Sequence, residues 1–369
     1  VVITRKIVAA GLCAVLSAGL VWCPWSGTQI ARAQLQGQRD QLTAGMNGRQ
    51  RGDATRSGLT ELHMAQQYGL GYLPLMVVRQ YRLIQKHLSR RSLSNVRVGW
   101  ALYPSGKAMN SALETGLLDF AAGGVAPMIA LWDRTHLGTD AVRGVAALSS
   151  MPQYLNTTNE RVRSVADFGP QDRIALPAKG VSAQAITLRM AATRRFGAGA
   201  VERLDPLTVS LPHPMAMASL LQGRDGITAH FASPPFQNYE LEHPGVHRVV
   251  SSFEILDGPA TFTALWAREG LRASHPEVVE AVFAALQEAI QIINDDVAGA
   301  VSIYVQQGRT EFPRAFLEKV LADPTVQYTV TPQGVMKYAA FMYATGTIRN
   351  KPTDWRDLFF DTVYPLPGS

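Results

Sequence analysis

The chain has 369 residues, 47% hydrophobic and 17% charged, enough apolar material for a large core and, at this length, for two lobes. Its formal charge of +6 is scattered without a basic cluster, which excludes a nucleic-acid footprint. Its 2 cysteines, Cys13 and Cys23, both fall near the start, so the rest of the chain excludes disulfides, thiol nucleophiles and Cys-based metal sites.

The N-terminal stretch reads as an export address. Arg5 and Lys6 precede an uncharged apolar run over 7–22, and Ala31-Arg32-Ala33 supplies the small-x-small pattern that a signal peptidase cuts. That run falls short of the about 20 apolar residues a bilayer-spanning helix needs, and Pro24 ends it. Trp22 stands where a lipoprotein box needs a small residue before Cys23. A signal peptide over 1–33 is therefore expected, cleaved to leave a soluble protein outside the cytoplasmic membrane. Losing Arg5, Lys6 and Arg32 lowers the formal charge from +6 to +3. Residues 34–57 are polar and glycine-rich, a flexible linker.

From Leu59 onward short apolar strands alternate with amphipathic helices. The pattern predicts a strand over 59–68 and a helix over 75–87 with Pro74 near its first position. It continues with a strand over 96–102, a helix over 107–115, a strand over 118–122, a helix over 126–133 and a strand over 142–148. The second half repeats the rhythm, with strands over 173–176, 207–211, 226–231 and 246–251 and helices over 182–196, 214–222 and 235–241. A strand over 261–268 crosses back to the first lobe. Ser274 and Glu277 predict a capping box around Pro276. Val278, Val279, Val282, Phe283, Leu286, Ile290 and Ile293 follow as a helical stripe that reads as core packing. This rhythm predicts an α/β fold with helix-covered, mainly parallel sheets. Lobe 1 is expected over 58–152 plus 259–369 and lobe 2 over 153–258, joined by hinge segments near 150–154 and 255–262.

In open parallel sheets ligands bind beyond the C-terminal strand ends, where helix N-termini offer free N–H groups. Five such turns stand out: Gly71-Tyr72-Leu73, Tyr103-Pro104-Ser105-Gly106, Gly123-Gly124-Val125, Gly180-Val181-Ser182 and Ser233-Pro234-Pro235-Phe236. None holds an acid, and Lys107 and Lys179 flank two of them. Helix dipoles, hydroxyls and lysines favour an anionic head group. Tyr72, Trp100, Tyr103, Trp132 and Phe236 are candidate apolar walls. The candidate ligand-binding residues are Tyr72, Trp100, Ser105, Gly123, Gly124, Val181, Ser182, Ser233, Pro235 and Phe236.

Catalytic and cofactor motifs fare poorly. Gly180-Val181-Ser182-Ala183-Gln184 lacks the final glycine of a nucleophile elbow, so Ser182 reads as a helix-capping or ligand-binding serine. Gly69-x-Gly71-x-x-Pro74 lacks the third glycine of a dinucleotide loop. Among the 8 histidines only His243 and His247 stand four apart, and Pro244-Gly245 breaks any helix that would align them. No cofactor, metal or catalytic residue is expected.

These residues together resemble the periplasmic solute-binding proteins of nitrate/sulfonate/taurine-type ABC importers, whose fold the thiamine-pyrimidine-binding branch shares. Gly71-Tyr72-Leu73-Pro74-Leu75 resembles the family's first ligand loop. The segment 109–119 (MNSALETGLLD) with Ala121-Ala122-Gly123-Gly124 resembles its next elements. Ser164-Val165-Ala166-Asp167-Phe168 and Arg173-Ile174-Ala175-Leu176-Pro177 resemble the entry into the second lobe, and Ser182-Ala183-Gln184 its helix-start polar residues. Thr331-Pro332 and Lys351-Pro352-Thr353-Asp354-Trp355 are similar to the closing segment of the sulfonate-like subgroup. The resemblance runs from about Leu59 to Phe360, except that residues 81–87 lack the glycines the family carries there.

The resemblance implies a type II periplasmic-binding fold of two lobes with a two-strand hinge. Tyr72, Ser105, Gly124, Ser182 and Pro235 are the ligand candidates it carries over. It also implies a monomer that captures a small anionic solute, sulfonate-, nitrate- or carboxylate-like, and delivers it to an ABC permease and its ATPase. Two alternatives stand beside that reading: an enzyme on the same fold (a pyrimidine synthase or small-acid lyase) and a periplasmic sensor subunit.

Overall fold

The structure is a computed structural model that describes residues 59–138, 140–308, 310 and 312–369. The leader and linker predicted over 1–57 lie outside the described residues.

Among the described residues, eleven strands form two sheets. The first contains β1 (Glu61–Gln66), β2 (Arg97–Leu102), β3 (Phe120–Gly124), β4 (Val142–Ser150), β10 (Thr261–Arg268) and β11 (Gln327–Tyr328), in the order β11-β4-β10-β3-β1-β2. The second contains β5 (Tyr154–Thr157), β6 (Ile174–Leu176), β7 (Thr208–Ser210), β8 (Ala229–Phe231) and β9 (His247–Ser251), in the order β7-β6-β8-β5-β9. β1, β2 and β3 pair in parallel, as do β6, β7 and β8. β10 is antiparallel between β3 and β4, and β5 is antiparallel between β8 and β9. The chain leaves the first sheet after Ser150, enters the second at Tyr154, and returns from Ser251 to Thr261. Each sheet with its helices is a lobe. The strand run that crosses back spans Thr261–Arg268, as its apolar pattern predicted.

β3 shows how sequence fixes the centre of lobe 1. Its residues Phe-Ala-Ala-Gly-Gly are all buried, as expected of a strand covered on both faces. A Cβ at Gly123 would stand 2.7 Å from Gln67 Nε2 and 2.8 Å from the Trp266 ring, so only glycine lets these groups close on the backbone. The strand runs to Gly124 rather than ending at Ala122 because Gly123 and Gly124 pair with Ala264 and Thr263 of β10.

Two local expectations are corrected. The helix predicted over 75–87 is two helices, Leu73–Gln80 and Leu83–Ser89. They break at Arg82, whose backbone is left-handed at φ 51°. The turn lets Leu83, Ile84 and Leu88 join the same core as Leu75, Val77 and Val78. The capping box at Ser274 does not form. Ser274 ends the short helix Glu269–Ser274, and its hydroxyl donates to the Gly270 carbonyl at 2.7 Å. A hydroxyl in a last helical turn finds the carbonyl four residues back closer than any N–H ahead. The helix Pro276–Asp295 therefore starts at His275 without a side-chain cap. Its stripe is buried as expected at Val278, Val279, Val282, Leu286, Ile290 and Ile293, with Phe283 half-buried. Among the described residues, no helix is long and apolar enough to cross a membrane.

Candidate functional site

The lobes meet along a crevice lined by Gln67, Tyr72, Gly106, Gly124 and Phe262 from lobe 1 and by Pro177, Ser182, Gln184 and His213 from lobe 2, among others. It lies where the sheet argument puts it, beyond the ends of β1, β3, β6 and β7. Four helices begin on its wall: Gly106–Glu114, Val125–Thr135, Ala183–Phe196 and His213–Gln222. Their positive dipole ends therefore converge from both lobes. None of the lining residues is Asp, Glu, Lys or Arg. Free space within is only about 20 Å³, close to the room one water needs. Entry of anything larger requires the lobes to part.

Contacts across the seam hold this closed form. Leu70 N–H donates to the Pro234 carbonyl at 2.9 Å. Gly69, at φ 109°, passes so close that a Cβ there would stand 2.9 Å from the same oxygen. A Cβ at Gly124 would stand 3.0 Å from the Ala183 Cβ. The hydroxyls of Thr187 and Tyr338 meet at 3.0 Å. Phe312 packs edge-on against Phe236 and Tyr239, at ring separations of 5.7 and 5.1 Å.

Of the residues singled out from sequence, the structure brings Tyr72, Gly124 and Ser182 together on the crevice wall. Tyr72 is buried, and burial pushes its phenol well above the ordinary range despite a hydrogen bond with Gln67. It is a neutral hydroxyl near pH 7. Ser182 caps the helix Ala183–Phe196, accepting from Ala185 N–H at 3.2 Å and donating to the Ala178 carbonyl at 2.8 Å. With its proton committed to that carbonyl, Ser182 is built as a cap. Ser105 likewise caps the helix Gly106–Glu114, with Ala108 N–H at 3.4 Å.

The remaining candidates stand behind or beside the wall. Gly123 is sealed beneath Gln67 and Trp266, and Val181 is half-buried in the turn before Ser182. Ser233 is fully buried near Gly69 with no hydrogen-bond partner for its Oγ. Pro235 precedes the helix Phe236–Glu240, and the Phe236 ring stacks on His213 at 5.5 Å. Trp100 sits half-buried on the edge strand β2 and does not line the crevice. Trp132 stacks on His136 at 4.6 Å and faces a larger open hollow of about 410 Å³ with Arg143 and Lys351. Lobe 1 alone builds that hollow, so a molecule there gains nothing from lobe closure. Tyr103 is buried, and desolvation raises its phenol.

Sequence reasoning passed over Gln67, His213 and Phe262 as site residues, and met Gln184 only among the helix-start polar residues of the resemblance. One signal for His213 was available. It opens a helix just after β7, the same strand-turn-helix logic that selected the other five loops. His213 is buried, and desolvation together with the neighbouring His230 holds it well below the usual histidine range, so it is neutral near pH 7. His243 and His247 each contact a backbone carbonyl, of Tyr239 at 2.9 Å and Val162 at 2.7 Å. No group of three or more His, Cys, Asp or Glu suited to a metal occurs among the described residues.

No protein-family model matches the chain, and no curated protein matches it in sequence. Solved structures do match. The alkanesulfonate-binding protein SsuA from Xanthomonas axonopodis pv. citri, bound to MOPS, aligns at 18% identity over 83% of this chain and 97% of its own, with a TM-score of 0.62. The periplasmic aliphatic sulphonate-binding protein SsuA from Escherichia coli aligns at 18% identity over 82% and 98%, with a TM-score of 0.59. The periplasmic nitrate-binding protein NrtA from Synechocystis PCC 6803 aligns at 13% identity over 70% and 69%, with a TM-score of 0.53. The chain thus has the two-lobed α/β fold of periplasmic solute-binding proteins. Its structural neighbours include the sulfonate- and nitrate-binding members of that group.

Proposed function

We propose that the protein is the solute-capturing component of an ABC importer and encloses a small anionic solute, sulfonate-, nitrate- or carboxylate-like, between its lobes. The observation that carries this reading is the crevice wall, on which four helix N-termini from both lobes converge without a carboxylate. Capture follows from geometry. Only the closed form lets both sets of N-termini contact one anion, so binding shifts the lobes toward closure. The segments at 151–153 and 256–260 act as the hinge. The ligand contacts are drawn from Tyr72 and Gly124, with Ser182 capping the helix whose N-terminus faces them and the candidates beside them shaping the wall. The protein acts as a periplasmic monomer, exported by a leader over 1–33 that is then removed, and hands its solute to a membrane permease driven by an ATPase.

A thermal-shift screen of MOPS, taurine, nitrate, aromatic carboxylates and pyrimidines tests the reading, because ligand raises stability by RT ln(1 + [L]/Kd). Stabilisation by one or more anions is expected. A response to cations or neutral compounds alone overturns it.

A further inference from the structure

Behind the crevice, lobe 2 holds an unbroken line of buried titratable groups. Glu240 Oε1 lies 2.5 Å from His230 Nδ1, and His230 Nε2 lies 2.8 Å from His213 Nδ1. The far nitrogen of His213, Nε2, lies 3.4 Å from the Gln184 amide nitrogen, Nε2, on the crevice wall. Glu240 and His230 are fully buried, and Asn156 Nδ2 donates to the second Glu240 oxygen at 2.8 Å. The helix His213–Gln222 packs against β6, β8 and the helix Phe236–Glu240. Of the acidic, basic and imidazole groups on those three elements, only His230 and Glu240 occur.

Counting protons fixes the outer end of this line. It has three places for one: between Glu240 and His230, between His230 and His213, and on His213 Nε2. With two protons the line carries a net negative charge in a sealed, low-dielectric interior, which is strongly disfavoured. With three it is neutral overall, whether the first proton rests on the carboxylate or the imidazole. Every neutral arrangement fills the third place, so His213 presents an N–H to the crevice. In the solute-free form Gln184 then turns its amide oxygen toward that N–H, a rotation that exchanges two nearly equivalent atoms, and an entering oxyanion takes that oxygen's place.

We propose that His213 is a specificity-determining hydrogen-bond donor to the solute, and that Glu240 and His230 keep its Nε2 protonated so that an oxyanion is captured with that proton in place. This rests on the solute-capture reading and deepens it by naming the group that reads the solute. Loss of the third proton replaces the donor with a lone pair and leaves a negative charge behind it. Anion affinity therefore falls as pH rises, by up to tenfold per pH unit once that proton is lost.

Nitrogen NMR of the solute-free protein, with ¹⁵N-labelled histidine, tests the donor directly. Protonated Nε2 and bare Nδ1 on His213 near neutral pH are expected, and the opposite tautomer overturns the proposal. Calorimetry with the strongest anion of the screen is the second test. His213→Leu, which keeps an apolar face for Phe236, is expected to lose about 10- to 100-fold in affinity together with the pH dependence. His213→Gln restores an N–H and is expected to recover part of the affinity without the pH dependence. Equal affinity and equal pH profile in wild type and His213→Leu overturn the proposal. If no anion binds wild type, the capture reading fails, and the tautomer alone judges the relay.

Discussion

Replacing Gly124 by phenylalanine is expected to wedge the lobes apart while each remains folded. Gly124 has φ −61° and ψ 149°, an extended geometry open to any residue, so the backbone adds no strain. The cost arises at the seam, where a Cβ already stands 3.0 Å from that of Ala183 against an optimum of about 3.5–4.0 Å. The ring beyond it has only the crevice of about 20 Å³ to enter. Overpacking of this kind costs about 1–3 kcal/mol. Here that cost is avoided by opening, because the seam parts more readily than a lobe core. Each 1.4 kcal/mol shifts the closed population by about tenfold, so affinity for the captured anion should weaken by about 5- to 150-fold. Small-angle scattering should show a larger radius of gyration, and calorimetry the weaker binding. Unchanged radius and affinity would refute a closed form that joins Gly124 to Ala183.

Four further outcomes follow from the fold. Gly144→Ala puts a Cβ 2.3 Å from the Phe359 ring, so it should detach the C-terminal segment and lower stability by about 1–3 kcal/mol, read by denaturant unfolding and proteolysis near residue 359. Leu286→Ala empties a buried site on the helix Pro276–Asp295 and should cost about 2–5 kcal/mol, seen as a lower urea midpoint. Arg82→Gly relieves a left-handed residue between two helices and should raise the unfolding free energy by up to about 1 kcal/mol, checked by the same titration. Hydrogen bonds from Lys86, then His87, hold the Glu288 carboxyl below its ordinary value of 4.5. Its stabilisation is therefore complete above that value and disappears as pH falls through the lower, folded one. The melting-temperature gap between wild type and Glu288→Gln should stay constant from about pH 7 to 5 and close in stronger acid.

Much of the fold was legible because its signals are local. The strand over 261–268 was bounded correctly, since its apolar run lies between the Gly258-Pro259 turn and the charged pair Arg268-Glu269. The helix from Ser182 was found because serine, then alanine and glutamine, form a cap and a first turn whatever surrounds them. The break at Arg82 was not legible. Nothing in that side chain favours a left-handed backbone, and the turn exists because two apolar faces must reach one core. Ser274 misled for a related reason, since its hydroxyl had two partners within reach and only the helix geometry chose between them.

The site divides along the same line. Sequence determined which loops carry helix starts, glycines and no acids, because those are properties of a few neighbouring residues. The alternation of strand and helix also indicated helix-covered, mainly parallel sheets, while chain length and the family resemblance indicated two lobes. Only the tertiary structure decided that Tyr72, Gly124 and Ser182 share a wall while Trp100 and Trp132 do not, since that depends on how the two sheets face each other. It alone joined His213 to His230 and Glu240, residues on three separate elements whose interaction exists only once β8 and its flanking helices pack and water is excluded. Hydrogen bonds between distant buried groups leave no periodicity in a chain, so that line of buried groups belongs to the folded state.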